Sequence, residues 1–121
     1  VNKYGTVVNS LQGWNTLVLQ VADNKLKYFV NGKQFAEHGS DVYPEVDMSV
    51  NFNLWFTPEQ ILQTPVMRQY SQDVDWVYFQ EDQVLSPQTV INNVAQLRAK
   101  NIAQKDTVKA TIAPEKSHCQ L

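Results

Sequence analysis

Asn51, Asn53 and Trp55 stand at alternate positions of the segment NFNLWF, interleaved with Phe52, Leu54 and Phe56. Successive side chains of a strand point to opposite faces, so the segment reads as one strand with two unlike surfaces. The Phe52, Leu54 and Phe56 row is a core face. The other row offers two carboxamides and an indole. An indole face stacks on the apolar C–H face of a sugar ring, and carboxamides give hydroxyls both donors and acceptors. Two positions apart on one face, Asn53 and Trp55 would lie ~7 Å from each other, a spacing suited to one pyranose. The competing role is a tryptophan wedged under a loop beside a solvated asparagine.

Other residues with chemistry are sparse. Cys119 is the single cysteine, so it cannot cross-link its own chain. It is either a tail thiol without a role or an interchain disulfide, which would imply a second polypeptide and an oxidising, extracellular compartment. His118 beside it adds one nitrogen ligand, and two ligands make a poor metal site. His38 has no Ser or Cys nucleophile at a recognisable spacing and reads as a surface residue.

The totals set bounds. A chain of 121 residues with 43% hydrophobic residues is at most one folded domain. The net charge is −2 and no run of Lys or Arg occurs, so a nucleic-acid backbone is not an expected partner. No apolar segment has the length of a membrane span. The first residue is Val1 rather than Met, and a longer polypeptide is expected upstream.

The positioning elements are mostly strands. YGTVV (4–8), WNTLVLQVA (14–22), KLKYFV (25–30), KQFAEH (33–38), DMSVNFNLWF (47–56) and SQDVDWVYFQ (71–80) are the expected runs. Asp23 and Asn24 form one turn, and Asn31-Gly32 is a strong hairpin signal because both positions favour positive φ. Residues 1–82 thus read as an antiparallel meander. In residues 83–102, Ser86 caps a helix with Pro87 at its first position. Val90, Ile91, Val94, Leu97 and Ile102 recur at helical spacing, which predicts an amphipathic helix over about 87–101 packing on the sheet. Residues 103–121 read as an extended polar tail.

One energetic problem follows. Strands with one apolar face form a single layer, and a sheet must bury that face against a second. One helix covers only part of it. Either the sheet closes on itself or further strands come from outside this sequence.

Three segments in order resemble family 16 glycoside hydrolases. WNTLVLQVADNKLKYFVNGKQF is similar to their W-H-T-Y … F-Y-V-D-G hairpin, NFNLWF to their M-N-L-W strand, and VDWVYF to their closing Y-D-W-V strand. Together the matches span about residues 3–80. The resemblance implies an all-β fold, the C-terminal half of a concanavalin-like jelly-roll β-sandwich, here followed by one amphipathic helix. It places Asn53 and Trp55 on the wall of a polysaccharide cleft, with Asn51 as a weaker neighbour, and makes Trp14 and Trp76 structural. Asp75 falls where the family often holds a structural Ca²⁺, a cation that needs several oxygens; a solvated carboxylate is the equal alternative.

The resemblance has gaps. The family's catalytic E-x-D-x-E strand is absent, and Asp73 with Asp75 does not match it. Retaining hydrolysis needs two opposed carboxyls, so these are expected in an N-terminal half of the same precursor, present as a second chain. Leu17 stands where an aromatic is usual, and Asn15 where His is usual. These departures leave three expectations: part of a retaining β-glycan endo-hydrolase, a non-catalytic lectin-like or toxin-like jelly roll that binds glycans, or an adhesion module of laminin-G type.

Overall fold

A computed structural model describes residues 9–54 and 66–107. The expected strand at 4–8 and the tail beyond residue 107 lie outside these residues. Three antiparallel strands form one sheet in the order β1 (Leu17–Ala22), β2 (Lys25–Val30) and β3 (Lys33–His38). One helix, α1, runs Pro87–Ala99. The described chain is therefore a small antiparallel sheet with one helix.

Both hairpins are set by their turn residues. Asp23 and Asn24 have φ of 51° and 58°, and Asn31 and Gly32 have 50° and 82°. Positive φ at both central positions matches the right-handed twist of the flanking strands. Ala22 thus faces Lys25, and Val30 faces Lys33. Asn31 also ties the tip to the segment before β1. Its N–H donates to the Thr16 carbonyl at 2.8 Å, and its side-chain oxygen accepts from the Thr16 N–H at 2.9 Å. Its amide nitrogen donates to Asn15 Oδ1 at 2.9 Å, while Asn15 Nδ2 donates to the carbonyls of Leu11 and Gly13.

On β3 the register shifts between Tyr28 and Phe29: Tyr28 faces Ala36 and Phe29 faces Gln34. Phe35 is the extra residue of this bulge, which disrupts the ladder locally. Its ring lies 5.9 Å from that of Tyr28, and His38 meets the same tyrosine edge-on at 5.3 Å.

Directly opposed residues share a face, so Leu17, Leu19 and Val21 stand with Val30, Tyr28 and Leu26. This is the apolar face of the sheet, and most of it is open. Leu17 is 72% exposed and Leu19 49%, while Leu26 is the one buried apolar side chain among the described residues. The opposite face carries Gln20, whose Nε2 donates to the Leu85 carbonyl at 2.7 Å just ahead of α1.

The helix ends are built by side chains and backbone together. Ser86 Oγ accepts from the Thr89 N–H at 3.1 Å, with Pro87 at the first helical position. At the other end Asn101 has φ of 54°, its N–H donates to Arg98 O, and the Ile102 N–H donates to Leu97 O. That pair of bonds is a Schellman motif with asparagine as the left-handed residue. Val90, Ile91, Val94, Leu97 and Ile102 are all half-buried, as their spacing required.

The expected strands at 47–56 and 71–80 carry no ladder among the described residues. A strand is completed by its neighbour, and neither segment finds one here. Val46, Met48, Val50, Phe52 and Leu54 alternate with polar residues in the sequence, and all five are exposed, as is every residue between them.

Two substitutions separate the forces at these turns. Asn31→Gly keeps the positive φ and loses the side-chain bonds, costing about 1–2 kcal/mol by urea unfolding. Asn31→Ala adds backbone strain of roughly 1 kcal/mol more. Ser86→Ala should cost ~1 kcal/mol.

Candidate functional site

The candidate site begins on the extended segment leading out of the 3₁₀ turn at Ser40–Val42. Asp47, Ser49, Asn51 and Asn53 alternate with the apolar row from Val46 to Leu54. Asn51 Nδ2 donates to Ser49 Oγ at 2.8 Å, a bond between neighbours on one side of the segment. It therefore already spends a donor on its own row. The Asn53 carboxamide has no hydrogen-bond partner among the described residues, and both asparagines are exposed. Trp55 lies outside the described residues, so the Asn53–Trp55 pair is seen at its asparagine end alone.

An open groove of about 510 Å³ sits elsewhere, at the β2–β3 tip. Asn9, Leu11, Asn15, Asn31, Lys33 and Phe35 are among its lining residues, and neither Asn51 nor Asn53 belongs to it. The amides of Asn15 and Asn31 are consumed by their mutual bond and by backbone, which fixes the groove wall. No motif in the sequence pointed to this amide pair between residues 16 positions apart. Its signal was the turn asparagine itself, whose side chain can bond backbone as readily as it adopts positive φ.

Asp75 forms an ion pair with Arg98 of α1. Beside it, Asn93 Nδ2 donates to Tyr78 Oη at 3.0 Å. These two contacts fasten the 75–78 segment to the helix. A calcium ion takes six to eight oxygens, and one carboxylate engaged by a guanidinium does not by itself fit that need. Among the described residues no three His, Cys, Asp or Glu side chains converge as a metal-binding group. Trp76 is half-buried, whereas Trp14 is 71% exposed. Asp82, past the 71–80 segment, has φ of 56° and sits in a bend.

On the helix-side face of the sheet, Lys25 Nζ and Glu37 Oε1 pair at 2.9 Å. The hydrogen bond from Lys25 holds the Glu37 carboxyl below its ordinary value. Cys119 lies outside the described residues.

No protein-family model, curated protein or solved structure matches this chain.

The Asp75–Arg98 contact generates a direct test. Both side chains are partly exposed, so a double-mutant cycle of Asp75→Ala and Arg98→Ala should give a coupling of roughly 0.2–1 kcal/mol. That coupling should shrink between low and high salt, because exposed charges are screened.

Proposed function

We propose that this chain is the C-terminal portion of a carbohydrate-active protein resembling family 16 glycoside hydrolases. Its part is to supply one wall of a polysaccharide cleft within a concanavalin-like jelly roll. Cutting, a retaining endo-hydrolysis of a β-linked glycan, would fall to two carboxylates carried by an N-terminal polypeptide outside this chain. The observation that carries the reading is the segment 46–54, whose sequence alternates apolar and polar residues and which is exposed along its whole length. Its even-numbered row from Val46 to Leu54 is apolar and exposed, and its other row leaves the Asn53 carboxamide open. A sandwich strand with a core on one side and a cleft on the other needs that division.

The same division supports a second polypeptide as the partner that covers the apolar rows. Calcium at Asp75 belongs to the same reading, with its other oxygens supplied from that polypeptide in exchange for Arg98. Secretion and an interchain bond through Cys119 go with it.

A second reading, glycan binding without hydrolysis, draws on Leu17. It stands where the family places a cleft aromatic and is 72% exposed. A lectin-like jelly roll tolerates that change better than an enzyme that must grip its substrate for catalysis.

Two experiments divide these readings. In the complete protein, Asn53→Ala and Trp55→Ala should each weaken binding to a β-glucan oligosaccharide about tenfold or more, a loss of ~1.4 kcal/mol. Unchanged affinity in both variants would remove the cleft wall from this segment. Sequencing the precursor upstream should reveal an E-x-D-x-E strand; without one, the lectin reading replaces the enzyme.

A further inference from the structure

The two edges of the sheet are unlike. The β3 edge, KQFAEH, carries Lys33 and Glu37 and is broken by the bulge at Phe35. Charges and bulges are the usual devices that keep an edge from pairing with another chain. The β1 edge has none of them. LVLQVA is six residues without a charge, a proline or a register shift.

The ladder fixes which β1 groups are free. The two-residue turn at Asp23 and Asn24 makes Ala22 and Lys25 a hydrogen-bonded pair. At the far end, the Asn31 N–H bonds the Thr16 carbonyl. Bonded and non-bonded pairs alternate along an antiparallel ladder. Thr16, Val18, Gln20 and Ala22 therefore turn their backbone groups toward β2. Leu17, Leu19 and Val21 turn theirs outward, and among the described residues no other strand lies beyond them.

We propose that this edge pairs with the same edge of a second copy of the chain, antiparallel, about a two-fold axis at Leu19. In that register Leu19 meets its counterpart and Leu17 meets the partner copy's Val21. All the outward N–H and C=O groups of these residues then find each other. The face matches too: the Leu17, Leu19 and Val21 row continues across the junction into one six-stranded apolar surface. With no charge on either β1 strand, no like charges meet across the junction. The pairing uses the β1 backbone edge and not residues 46–54. Its test reads mass and amide protection rather than glycan binding, so its failure is distinguishable from that of the function proposed above. Leu17 is the one residue the two share.

Light scattering after size exclusion tests it on the 121-residue chain, alongside amide hydrogen exchange. The expected species has twice the 13.9 kDa chain mass, with Leu17, Leu19 and Val21 amides protected more strongly as concentration rises. Leu19→Pro removes one outward N–H and spares the β1–β2 ladder, so it should give the single-chain mass. Leu19→Lys, which places two like charges at the axis, should do the same without any backbone change. Gln34→Lys on the other edge should leave the double mass intact. A single-chain mass for the unaltered chain would overturn the proposal, whether those amides are exposed or covered by the chain's own residues. So would a dimer that survives both Leu19 variants.

Discussion

The rest of the structure depends on a sheet face that the described residues do not cover. Leu17, Leu19 and Val21 line up with Leu26, Tyr28 and Val30 across two strands, and Leu26 alone among the described apolar residues is buried. Hydrophobic burial is the main force that orders a sheet. Here the ordering is carried largely by local devices instead: two hairpin turns with positive φ, the Asn15–Asn31 amide pair, and a ring cluster of Tyr28, Phe35 and His38. Such devices hold a three-stranded sheet in register. They contribute little toward the large conformational entropy cost of folding a whole domain.

The same shortage explains where regular structure stops. Hairpin strands 17 to 38 bring their own neighbours within a few residues, so their ladders form. Residues 46–54 have the alternation of a strand but need a neighbour from further away. The helix is self-sufficient in hydrogen bonds and is closed at both ends, by Ser86 and by Asn101. It docks through Gln20, Asp75 and Tyr78, polar contacts that orient it without sealing the opposite face of the sheet.

Much of this was legible in the residues. Asn31-Gly32 and Asp23-Asn24 marked the hairpins, and the Ser86-Pro87 pair marked the first turn of α1. The helix ended at Ala99 rather than at residue 101 because Asn101 took the left-handed conformation, a choice that no apolar spacing encodes. The bulge at Phe35 was also invisible, since KQFAEH alternates too weakly to reveal one extra residue. Strands at 47–56 and 71–80 were read from alternation, which records which faces differ and not which neighbour is present. Of the site, the exposed Asn51 and Asn53 row was legible, while the Asp75–Arg98 pair joins residues 23 positions apart and has no local signature.

The most direct measurement is the urea dependence of unfolding for the isolated chain, because its slope scales with the apolar and backbone surface exposed on unfolding. An uncovered face predicts a shallow transition, with a slope well below about 1 kcal/mol/M. A steep, cooperative transition from a single-chain species, with the slope of an ordinary compact domain, would contradict it: the chain would then bury its own face and need no second sheet.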